Sequence, residues 1–203
     1  MANANIASGL SPINDNGTTW SGQGRLVCFP ASQASNIFRG DPLVPLGGTD
    51  AFGVPLVGLA SAGATNTILG AFIGIANGPA AGANAYTTVT RDLPVYRQAS
   101  IQNYGFICDD PNQIYVIQED SVGGAIAASV GGFANGNLVA GSGSTVTGFS
   151  GWQLQSSGVS ASANPTYQLR LLGLVRGPDN AIGVNAKWAV RINLPALWGT
   201  SGY

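Results

Sequence analysis

The chain has 203 residues, of which 8% are charged, 30 are glycine and none is histidine, and its formal net charge is −1. The lack of histidine excludes Ser-His-Asp and Cys-His nucleophilic machinery, and a supply of two cysteines excludes cysteine-rich or histidine-based zinc sites. Arginines scattered from Arg25 to Arg191, with Lys187 the one lysine, form no basic patch of the kind that displaces phosphate counterions, so no nucleic-acid partner is expected.

In chain order, the opening MANANIASGLSPINDNG has neither a basic start nor a continuous apolar run, and reads as no signal peptide. It reads instead as an extended N-terminal arm over 1–23, or as a frayed terminus. As an arm it would offer Ile6, Leu10, Ile13 and Trp20 as apolar anchors among Asn, Ser and Gly, laid along a neighbouring protein. Asn14-Asp15-Asn16-Gly17 has the look of a calcium loop but lacks its later carboxylates, so a turn is expected.

Gly24 to Phe29 reads as a short strand stopped by Pro30. Leu69 to Ala76 reads as a glycine-broken strand; Gly, Asn and Pro interrupt the run well short of the ~18 apolar residues of a spanning helix, and no membrane association is expected. Tyr86 to Thr90 is rich in β-branched and aromatic residues and reads as a strand. Asn103 to Cys108 and Gln113 to Glu119 flank Asp109-Asp110-Pro111-Asn112, a turn tetrad, and this pair reads as a β-hairpin. Cys28 and Cys108 lie in apolar runs and read as two small buried hydrophobes, with a disulfide as the alternative.

Nothing ionises between Asp120 and Arg170. This Gly-, Ala- and Ser-rich stretch suggests a loop-rich insertion around 121–165, either a flexible linker or a segment ordered by neighbouring subunits. Thr166 to Arg176 alternates and then changes phase near Leu171-Leu172-Gly173, which suggests a bulge or burial on both faces. After the turn Gly177-Pro178-Asp179-Asn180, Lys187 to Asn193 alternates cleanly, with Trp188, Val190 and Ile192 on one face. These two strands are expected to pair antiparallel.

Candidate chemistry is thin. The neighbouring carboxyls Asp109/Asp110 and Glu119/Asp120 sit at turns and strand ends, where capping is the expected role rather than glycoside hydrolysis. Of Trp152, Trp188 and Trp198, which invite a sugar-stacking reading, Trp188 belongs on a core face. Trp198, in LPALWGTSGY, is expected to be exposed and to contact a partner. No enzymatic activity, metal or cofactor is expected.

Several strings together resemble the small capsid decoration (cement) proteins of tailed bacteriophages. They are Trp20-Ser21-Gly22-Gln23 leading into RLVCFPAS, IFRGDPL from Ile37, LGAFIGIANG from Leu69, YGFICDDPNQIYVIQED from Tyr104 and LRLLGLVRGPDNAIGVNAKWAVRIN from Leu169. The resemblance implies a β-rich protein bound at many equivalent places on the outside of an icosahedral shell and made in the bacterial cytoplasm. Its partners would be the major capsid protein and further copies of itself, as a trimer or dimer. A tail, receptor-binding or carbohydrate-binding virion protein is the alternative.

The expected architecture is all-β, a jelly-roll or related antiparallel barrel or sandwich over 24–203. On the arm reading, deleting Ala2 to Asn16 should leave the melting curve unchanged and abolish capsid binding.

Overall fold

Twelve strands and one 3-10 turn (Ser156–Gly158) form among residues 3–14, 20–78, 95–159 and 164–197, which the computed structural model describes. The chain is all-β, as expected. Its first unit is a closed five-stranded barrel, in the order β2 (Arg25–Phe29), β4 (Pro55–Leu59), β3 (Pro42–Thr49), β5 (Gly70–Ala76) and β6 (Asn103–Cys108). β6 runs antiparallel to β2 from Arg25↔Ile107 to Phe29↔Asn103, and a single parallel contact, Cys28↔Leu56, joins β2 to β4.

The barrel interior is apolar: Val27, Phe29, Leu43, Val57, Phe72 and Ile107 are all buried there. Phe29 and Phe72 meet edge-on with ring centroids 5.3 Å apart, a favoured aromatic geometry. Gly105 makes room for them, because a Cβ there would lie 2.6 Å from the Phe72 ring and 2.9 Å from the Gly74 carbonyl. On the other face of β2, Leu26 and Cys28 pack with Val54 and Ala76 in a second cluster. Burial on both faces explains why RLVCF is an apolar run rather than an alternation.

The second unit is a five-stranded sheet in the order β1 (Ser11–Ile13), β7 (Ile114–Gln118), β12 (Lys187–Ile192), β11 (Leu169–Leu174) and β8 (Asn135–Gly136). β11 and β12 pair antiparallel, with a register shift between Leu171 and Gly173, so of the two readings of the phase change the bulge is the one that forms. Trp188, Val190 and Ile192 all face the core, alongside Tyr115, Ile117, Leu169 and Leu171. The turn before β12 is tied by Asn180, whose Nδ2 donates to the Val175 and Lys187 carbonyls and whose Oδ1 accepts from the Lys187 N–H.

The expected hairpin is corrected. The turn itself forms, with Asp110 accepting from the Asn112 N–H through its side chain and from the Gln113 N–H through its carbonyl. However, β6 and β7 do not pair. Both edges of β6 are already occupied by β2 and β5, so the chain leaves the barrel at this corner and enters the other sheet. An ion pair of 2.7 Å between Arg25 and Asp109 ties the corner to the start of β2.

The 121–165 stretch, as far as residue 159, is built into the sheet's core rather than set apart from it. It supplies β8, β9 (Leu138–Val139) and β10 (Gln153–Leu154), the last two paired, and it buries Ile126, Leu138, Trp152 and Leu154. The predicted strand Tyr86 to Thr90 lies outside the described residues.

The arm is also corrected. Residues 3–13 dock on the chain's own sheet: β1 pairs with β7, Gln118 Nε2 donates to the Ala4 carbonyl, and Gln118 Oε1 accepts from the Ile6 N–H. Asn3 adds two donated bonds, to the Ala181 and Val184 carbonyls. Leu10 is 0% exposed. A segment that completes a sheet and fills a core cannot be deleted without loss of stability, so the unchanged melting curve expected for the deletion is withdrawn.

Candidate functional site

The buried polar side chains act inside the fold. Arg97 is fully buried, and its guanidinium donates to four backbone carbonyls, those of Gln33 (2.7 Å), Ser35 (2.8 Å), Pro30 (2.9 Å) and Ile101 (2.9 Å). Glu119 Oε2 accepts from the Trp188 indole N–H at 3.0 Å and from the Ile126 N–H at 3.1 Å. Gln168 ties the barrel to the sheet. Its Nε2 donates to the Ser61 and Asn66 carbonyls, while its Oε1 accepts from the Gly63 and Leu138 N–H groups.

Asp41 Oδ2 accepts from the Phe38 N–H, and burial pushes this carboxyl up to about 6. Burial likewise raises the Cys28 thiol and lifts Cys108 to about 11. Both cysteines are free and buried, as the hydrophobe reading expected. Of the tryptophans, Trp152 and Trp188 are core residues and offer no stacking face to a sugar.

Of the predicted contact residues, Trp198 lies outside the described residues. Ile6 is 65% exposed beside its docked backbone. Ile13 is half-buried at the sheet edge, across from Ile114. Leu10 faces the chain's own core instead of a partner, a correction to its role as an anchor, since a side chain with no exposed surface cannot reach a neighbour.

Leu10 and Trp20 nevertheless come together, in a cavity of about 170 Å³ lined also by Ser11, Pro12, Arg39, Phe72, Ile73 and Phe149. Two backbone arrangements make it. First, Gly9 (φ +64°) and Gly40 (φ +94°) cross so closely that a Cβ on either would overlap backbone. That crossing lets the Leu10 N–H donate to the Gly40 carbonyl at 2.8 Å, while the Gly40 N–H donates to the Phe72 carbonyl at 2.8 Å. Second, Arg39 and Phe149 form a parallel bridge: the Arg39 N–H donates to the Gly148 carbonyl and its carbonyl accepts from the Ser150 N–H. Side chains bridged in this way lie side by side, and the Arg39 guanidinium sits 5.7 Å from the Phe149 ring centroid, within cation–π range.

The result is a cleft with two aromatic walls (Trp20, Phe149), the half-buried Pro12 and Ile73 beside them and one exposed cation at the rim, above the fully buried Leu10 and Phe72. Among the described residues that line it there is no carboxylate or thiol. Arg39 and Phe149 escaped the sequence reading. Arg39 stands in the IFRGDPL string, which carries only a family resemblance, and Phe149 is an isolated aromatic in a glycine-rich stretch, where no period marks it. Set against known protein families, curated proteins and solved structures, the chain matches none.

Proposed function

We propose that this is a capsid decoration protein of a tailed bacteriophage, which binds the outside of the assembled shell as a homo-oligomer and bridges neighbouring major capsid subunits. The observation that carries the reading is the surface. In a chain with so few charges, large apolar side chains stand out in solvent, among them Val146 (88% exposed), Phe133 (70%), Phe52 and Val184. A neutral surface studded with such groups favours association, and it is at ease when covered by other protein.

The strings that resemble cement proteins support the same role. So does the internal use of Arg97, Glu119 and Gln168, which engages them in holding the fold. A cement protein acts by opposing the separation of the subunits it spans. A contact of standard size, about 1,600 Å², reaches micromolar to picomolar affinity according to its anchors. An oligomer touching several subunits adds avidity of roughly 10²–10⁴-fold.

Copy number tests the proposal, by gel densitometry of purified virions against the major capsid protein together with cryo-EM of the shell. Hundreds of copies in symmetric external density are expected. A handful at one vertex would make it a tail or receptor-binding protein, and absence from the particle would end the structural reading.

A further inference from the structure

We infer that the cleft between Trp20 and Phe149 is a socket for one apolar side chain of a partner protein, with Arg39 at its rim binding a carboxylate next to that side chain. The inference rests on reading the cleft as a contact site of a virion protein.

Size is the first argument. About 170 Å³ is room for one large side chain, since a cavity of about 150 Å³ holds a benzene ring. Lining is the second. Trp20, Phe149 and the half-buried Pro12 and Ile73 give an incoming side chain apolar contact on several sides, as in the pockets that anchor protein interfaces. A pyranose would instead need several fixed donors and acceptors, and among the described residues lining the cleft the uncharged polar side-chain groups are the Ser11 hydroxyl and the Trp20 indole N–H.

Charge is the third argument, and it commits the occupant. Arg39 is exposed, lies over the Phe149 ring with its guanidinium carbon 5.7 Å from the centroid, and has no carboxylate partner among the described residues. A guanidinium held in place loses less freedom on binding and presents its donors to a carboxylate as a fork. The complementary partner is therefore a Phe-, Tyr- or Leu-like residue beside an acidic group.

The test uses the full chain, ¹⁵N-labelled, titrated with N-acetyl-L-phenylalanine, with its neutral amide and with methyl β-glucopyranoside. The Trp20 indole resonance is assigned through Trp20→Phe. The carboxylate probe should shift that resonance and bind about fivefold tighter than the amide. Arg39→Gln, a change at an exposed position, should erase this difference between the two probes. Equal binding of the two phenylalanine probes, a silent Trp20 resonance, or preference for the glucoside would each overturn the inference. Probe binding by a protein absent from virions would sink the capsid reading and leave the socket standing; a silent cleft in a protein abundant on virions would do the reverse.

Discussion

The barrel and the five-stranded sheet are built on different principles. The barrel takes its strands from one stretch of chain, Arg25 to Cys108, and its interior is held by aliphatic and aromatic contacts. The sheet gathers strands from near both ends of the chain, with Ser11 beside Val116 and Leu169 beside Ile192. Here buried amides and a carboxylate add directional bonds to the apolar core: Gln118 holds the N-terminal segment, Glu119 holds Trp188, and Gln168 holds the barrel loop. The contrast teaches that in a chain this poor in charge the few buried polar groups mark where distant segments meet, Gln118, Glu119 and Gln168 around the sheet and Arg97 beside the barrel, while apolar packing fills the interior of each unit.

The contrast can be broken most forcefully at the N-terminus. Deleting Ala2 to Asn16 removes β1 and Leu10, so the sheet should lose upwards of about 4 kcal/mol, judged from buried-leucine losses of about 2–5 kcal/mol plus the edge strand's hydrogen bonds. Urea unfolding followed by circular dichroism reads it, and an unchanged midpoint would mean that the docked segment contributes nothing.

Next comes Phe72→Ala in the barrel, expected to cost about 3–5 kcal/mol through cavity formation beside Phe29. A loss below 1 kcal/mol would contradict a tightly packed barrel. Gln168→Leu should cost about 2–4 kcal/mol, because it strands the Gly63 and Leu138 N–H groups and the Ser61 and Asn66 carbonyls. Hydrogen exchange should quicken first at Gly63 and Leu138. Uniform quickening throughout the chain would show that Gln168 supports global stability and not the junction.

The smallest effect is a pH dependence at Asp41. Burial holds its carboxyl at about 6, above its ordinary 3.8, so the folded state binds the proton more tightly than the unfolded chain. The stabilisation is complete below about pH 4 and is lost as pH rises through about 6, by at most about 3 kcal/mol. Asp41→Asn keeps an acceptor for the Phe38 N–H and should flatten this part of the profile. Parallel stability–pH curves for the two proteins between pH 4 and 7 would refute the assignment.

Local signals in the sequence were sound where one segment settles the outcome. The alternation of Lys187 to Ile192, the bulge at Leu171 to Gly173, the turn at Asp110 to Gln113 and the burial of both cysteines follow from side-chain period and turn chemistry, which depend on a few neighbouring residues. The strand-like periods along the chain already pointed to an all-β fold.

Tertiary structure decided everything that depends on which edge is free. A turn dictates that the chain reverses, but not which strand it then meets, and β6 had no edge left for β7. Likewise an apolar N-terminal segment must be covered, yet only the assembled sheet decides whether its cover is a neighbour or the chain's own β7. The cleft follows the same logic. Leu10, Trp20, Arg39 and Phe149 are far apart in sequence with no shared period, and it is the Gly9–Gly40 crossing and the Arg39–Phe149 bridge that bring them to one place.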